Sequence, residues 1–175
     1  VPALKQAEIK ITFTNNNIES LDLSGIIRSL SDWRSLDVTG CTSLQTLNLS
    51  NISMPAVDAH GITTLTSVNL TGATINGTTN FSETGLTTLT TNNETSIFGG
   101  LNLSETQIAS FATAGKIGGD INLSACDNLT SINLLQTQFK NASGDDVTYS
   151  KIHIHKTNDE DDTEVITNLG NKSIL

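Results

Sequence analysis

The sequence predicts a β-rich repeat solenoid, with parallel β ladders, about seven coils of ~21 residues and very little helix. Two observations carry this prediction. A motif of the form apolar-x-x-apolar-x-apolar-(Ser/Thr) recurs along the chain, as in Ile18-Glu-Ser-Leu21-Asp-Leu23-Ser, Leu44-Gln-Thr-Leu47-Asn-Leu49-Ser and Leu65-Thr-Ser-Val68-Asn-Leu70-Thr. The composition is rich in Thr, Ser, Asn and Leu and poor in Ala, Glu and Lys, which favours strands and turns over helices.

The repeat resolves into two series. With the second apolar residue of each motif as anchor, the first runs Leu21, Leu47, Val68, Leu89, Phe111, Ile132 and Ile152, spaced after the first step by 21, 21, 22, 21 and 20 residues. Each of these anchors has an apolar or aromatic residue three positions earlier, from Ile18 and Leu44 to Tyr149. A weaker series lies between them: Ile11, Leu36, Val57, Thr78, Leu101, Ile121 and Ala142. One irregularity, at Ile26 to Asp32, lengthens the step between Leu21 and Leu36.

An anchor and the residue two places on point to the same side of a strand. A strand that recurs every coil stacks on its copies ~4.8 Å apart. No single coil can bury its own apolar row, so the coils share one core. The half-steps between the two series imply two extended segments per coil, with no room for a helix.

The balance of charge narrows the partners. The chain has 36% hydrophobic and 15% charged residues and a formal net charge of −9. No Lys or Arg occurs between Ser35 and Gly115. Nucleic acid is therefore not an expected partner. No apolar run approaches the ~20 residues of a membrane-spanning helix, so no membrane insertion is expected.

The segment Leu36-Asp-Val-Thr-Gly-Cys41 and the recurring Asn-Leu-Ser and Asp-Leu-Ser triplets resemble leucine-rich repeats. The double ten- and eleven-residue rhythm is similar to the short repeats of Bacteroidetes cell-surface proteins and, more distantly, of internalins. This resemblance runs from Glu8 to Thr157. It implies secretion or display at a bacterial cell surface and a part in adhesion or recognition. The organisation expected is a leucine-rich-repeat solenoid over 1–157 and an acidic C-terminal cap or tail over 158–175.

Few residues suggest chemistry. Cys41 and Cys126 both sit five residues after a second-series anchor, where Asn, Cys or Thr satisfies buried backbone groups at a turn. They fall four coils apart, roughly 19 Å at ~4.8 Å per coil. A disulfide needs Cα atoms within about 7 Å, so both are expected as reduced, buried thiols. The run Asp159-Glu160-Asp161-Asp162, with Glu164, lacks the glycine and terminal glutamate spacing of a calcium loop and fits a solvated acidic turn. Asn-x-Ser/Thr triplets are numerous, but the repeat produces most of them. Gly99-Gly100 and Gly118-Gly119 fit turns rather than a phosphate loop.

The first-series outer face is a ladder of short Ser, Thr and Asn side chains. The C-terminal coil differs, because Lys151, His153 and His155 alternate with Ile152 and Ile154 and so share the outer face of one strand. Tyr149, the one tyrosine, lies beside them, with Asp145 and Asp146 just before. Tyr149, Lys151, His153 and His155 are therefore the candidate ligand-binding residues. The alternative is a solvated face leading into a cap. Two histidines are half of a typical metal site, so no metal is expected. No cofactor motif, Ser-His-Asp set or paired-carboxylate cleft is present, and no catalysis is expected. The expectation is a monomeric, non-catalytic extracellular module that recognises a protein or glycan, or else a structural spacer displaying a neighbouring domain.

Overall fold

The computed structural model describes residues 11–14, 17–24, 35–147 and 150–155, and the backbone of 164–167. Tyr149 and the acidic run at 159–162 lie outside the described residues, as does Trp33. The chain is a parallel β-solenoid, with no helix among the described residues. About five turns of roughly 22 residues are complete, rather than the seven that the spacing suggests.

Each complete coil touches three walls, not two. The first wall comprises β2 (Ser20–Asp22), β4 (Thr46–Asn48), β7 (Ser67–Asn69) and β10 (Thr88–Thr90). The second comprises β1 (Ile11–Thr12), β3 (Leu36–Asp37), β6 (Val57–Asp58), β9 (Thr79–Asn80), β12 (Leu101–Asn102), β14 (Ile121–Asn122) and β16 (Lys151–Ile154). It ends on β17 (Glu164–Thr167), which pairs antiparallel with β16. The third comprises β5 (Ser53–Met54), β8 (Thr74–Ile75), β11 (Ser96–Ile97), β13 (Ser110–Ile117) and β15 (Ser131–Phe139). The third wall is missed by a two-series reading because its early strands span two residues each.

The first-series register is as the spacing predicts for Leu21, Leu47, Val68 and Leu89, which are direct partners along the ladder. Phe111 pairs with Ile132. Ile152 does not continue that row; its partner is Ile121, so it belongs to the second wall. The second wall also uses Thr79 in place of Thr78, and Ile152 in place of Ala142. The cause is an insertion. Residues 140–147 fold back as a loop in which Val147 N–H donates to the Phe139 carbonyl (2.9 Å) and Lys140 pairs with Asp146 (2.9 Å). The loop lengthens one coil, and the 20 residues from Ile132 to Ile152 then coincide with the repeat length.

Strand ends are set by side chains. On the first wall, Asp22, Asn48 and Asn69 accept the N–H of the residue two places on, at 2.8–3.1 Å. Asp37, Asp58, Asn80, Asn102 and Asn122 do the same on the second wall. Such turns let a short polar side chain take over from the ladder. In three of them the hydroxyl at the second residue also donates to the same oxygen: Thr71, Ser82 and Ser104. The repeated Asn-x-Ser/Thr triplets are thus the turn chemistry of the coil. After the second-wall turn the chain enters the left-handed region at Gly61, Glu83, Glu105 and Ala125.

The core runs unbroken along the axis. Leu23, Leu47, Leu49, Val68, Leu70 and Leu134 are buried, and Leu21 and Ile132 pack against them partly exposed. Cys41 and Cys126 are buried and unbridged, four second-wall steps apart. Cys126 Sγ donates to the Leu103 carbonyl of the preceding coil (3.0 Å), and Thr84 and Thr106 fill the same place with hydroxyls that donate to Phe81 and Leu103 (2.8 Å each). The third-to-second-wall corner is a column of glycines, Gly77, Gly99 and Gly119, where successive backbones meet.

Candidate functional site

Strand β16 places Ile152 in the core, so its neighbours Lys151 and His153 face outward. Lys151 and His155 are exposed, whereas His153 is partly covered. The cover is Asp120, at the corner entering β14. Its carboxylate accepts the Lys151 N–H (2.8 Å) and lies 3.5 Å from His153 Nε2. His155 has its carbonyl bonded by Ala125 N–H (2.6 Å). Lys151 and His153 therefore share an outer face as their alternation predicts, and His155 stands just beyond the strand. This face lies on the second wall, in line with Asn122 and Asn102. Asp120 is part of the cluster and was not legible in the sequence, because 33 residues and the inserted loop separate it from His153.

A second cluster on the same wall centres on His60. Its Nδ1 lies 2.8 Å from Asp58 Oδ1. That hydrogen bond, the Asp58 charge and the more distant Glu83 and Asp37 hold the imidazole pKa above its usual value, with a small opposing effect of desolvation. Among the described residues, no group of three or more His, Cys, Asp or Glu side chains is arranged to hold a metal ion.

The first wall contains the feature that sequence reasoning missed. Its ladder ends at β10 and is not continued by β13. Thr88 and Thr90 direct their backbone groups to β7, since Thr88 N–H donates to Thr66 (3.1 Å) and the Thr90 carbonyl accepts from Leu70 (2.8 Å). By strand alternation the Leu89 backbone faces β13, yet the link across the break is a side chain: Ala114 N–H donates to Thr91 Oγ1 (3.0 Å). Beyond the break, β15 carries one extra residue against β13. Asn133 pairs with Ala112 and Gln136 with Ala114, so Leu134 and Leu135 together face Thr113 as a β-bulge. Leu134 turns into the core and Leu135 is left 61% exposed.

Together the break and the bulge open a cavity of about 320 Å³, lined by Leu89, Thr90, Thr91, Ala112, Thr113, Ala114, Asn133 and Gln136. The one sequence signal for it is the 22-residue step from Leu89 to Phe111, where the flanking first-series steps are 21. Neither the protein-family models, the curated proteins nor the solved structures contain a match to this chain.

Proposed function

We propose that this chain is a non-catalytic extracellular leucine-rich-repeat module that recognises a protein or a glycan at a bacterial cell surface. The observation that carries the reading is the opening in the first wall. Elsewhere that wall presents short polar side chains, and water already satisfies such groups, so a partner gains little from them. The opening instead joins partly exposed Leu89 and Ala114 to free amide and hydroxyl groups in a concave surface, the usual shape of a binding site. The outer face of Lys151, His153 and His155 is a second contact surface of the same module. Its mixed charge, with Asp120, gives a partner more than the ladder does.

The test is binding of the purified chain to glycan and cell-surface protein arrays, beside an Ala112→Trp variant that fills the opening. Ala112 is exposed, so the variant should fold. Ligand capture that the variant loses supports the reading. Absence of any ligand on both arrays would remove it.

A second reading, a spacer that holds a neighbouring domain away from the surface, is favoured by the self-satisfied hydroxyl ladder. Thr46 Oγ1 donates to Ser20 Oγ (2.7 Å) and Ser131 Oγ to Ser110 Oγ (2.9 Å), so coils are tied to each other rather than presented to a partner.

A further inference from the structure

The cavity at the break has a distinctive set of hydrogen-bonding groups. None of its lining residues is charged, in a chain whose formal net charge is −9. Thr91 Oγ1 is occupied as an acceptor by Ala114 N–H, which leaves its hydroxyl proton free to donate. Asn133 Oδ1 accepts the Leu135 N–H (3.1 Å), which leaves its amide Nδ2 free. Gln136 is exposed at the rim and offers a donor and an acceptor. Thr113 is 4% exposed and lines the floor. Its carbonyl accepts the Thr137 hydroxyl proton (2.8 Å), while its own hydroxyl lies 3.4 Å from Thr137 Oγ1. Leu89, Ala112 and Ala114 supply apolar surface between these groups.

We propose that this cavity is a saccharide subsite that takes a neutral oligosaccharide lying across the strands. The inference rests on the recognition reading above and names its ligand class. Three properties select the ligand. With no charged group in the lining, an anion or a cation leaves water for a place that offers no counter-charge. Hydroxyls and side-chain amides both donate and accept, which suits a ligand whose groups do the same. The lining residues come from β10, β13 and β15, so the long direction crosses the strands and spans ~9.6 Å at ~4.8 Å per strand. An extended peptide would instead run along a strand edge. The bulge has a specific role here. It brings Gln136 level with Ala114 and turns Leu135 outward between Asn133 and Gln136, where it can cover a sugar's C–H face.

The experiment is a titration of the isotopically labelled chain with neutral tetrasaccharides of glucose, mannose and xylose, and with an acidic uronate tetrasaccharide. The readout is the side-chain amide resonances of Asn133 and Gln136. At least one neutral saccharide should move both saturably, and the uronate should not. An Asn133→Ala, Gln136→Ala double variant, with backbone resonances otherwise unchanged, should weaken the dissociation constant by about tenfold. Failure of all three neutral saccharides to move these resonances overturns the inference. So does saccharide binding whose shifts fall on Lys151 to His155. A protein ligand lost by Ala112→Trp, without saccharide binding, also overturns it and leaves the recognition reading intact.

Discussion

A β-carbon placed on Gly99 would lie 2.2 Å from the carbonyl oxygen of Gly77 in the preceding coil. Gly119 stands in the same relation to Gly99, at 2.3 Å. The obstacle is backbone in both cases, so no side chain can give way. Gly99→Ala is expected to destabilise by ~1–3 kcal/mol or more, as overpacking does. Gly61→Ala is the comparison. Its added carbon meets nothing, but φ is +74°, so only the left-handed strain of ~1–2 kcal/mol applies. Urea unfolding of both variants checks the order, and a Gly99→Ala variant of wild-type stability would contradict the glycine column.

Thr79 occupies an anchor position between Val57 and Leu101, fully buried, and its hydroxyl has no hydrogen-bond partner. Thr79→Val keeps the shape and removes the orphaned group. The expected gain is ~1 kcal/mol, seen as a higher denaturation midpoint at unchanged slope.

Leu70 is fully buried, whereas Leu135 is mostly exposed. Leu70→Ala should cost ~2–5 kcal/mol. Leu135→Ser should change stability by less than ~0.5 kcal/mol, as surface substitutions do. Equal losses in calorimetry would show that the bulge does not turn Leu135 outward.

The His60–Asp58 pair makes a pH prediction. The folded-state pKa of His60 is raised above its unfolded value by the hydrogen bond and charge of Asp58, with Glu83 and Asp37 adding to it. The stabilising contribution is therefore fully present below the unfolded pKa and is lost as pH rises through the folded one. In Asp58→Asn the His60 titration, followed by NMR, should move down toward the ordinary imidazole value. An unmoved titration would assign the shift to other groups.

Cys41 and Cys126 should remain reduced within one chain, with an intact mass two protons above that of an internally bridged form. Native alkylation should be slow and should speed up on unfolding, since both thiols are buried. An intramolecular bridge would break the four-coil register that separates them.

The parts of the fold legible in the sequence are those in which one apolar residue recurs at a fixed interval. Leu47, Val68 and Leu89 gave their register directly, since a stacked coil must return each anchor to the same height. Thr79 was displaced by one residue because a polar anchor carries no hydropathy signal against its neighbour Thr78. Ile152 was placed on the wrong wall because the loop at 140–147 is about half a coil long. The outward alternation of Lys151 and His153 was legible, whereas Asp120 was not, because its approach depends on that loop. The saccharide cavity rests on a single extra residue on each side of Thr113, too small a change for a pattern to reveal.

The loop at 140–147 also shows where this rod tolerates added length. Every other corner is held by a left-handed residue, a glycine column or an Asn-centred turn that fixes how many residues a coil contains. Here a coil gains a detour, and the second wall closes over it in register, with Ile152 on Ile121. Ser143 and Gly144 at the tip are exposed, and a β-carbon on Gly144 would meet nothing within 4 Å. Doubling such a loop costs only ~0.6 kcal/mol in closure entropy. A foreign epitope grafted between Ser143 and Gly144 would leave the stack intact and stand at a fixed height on its side, making the solenoid a display frame.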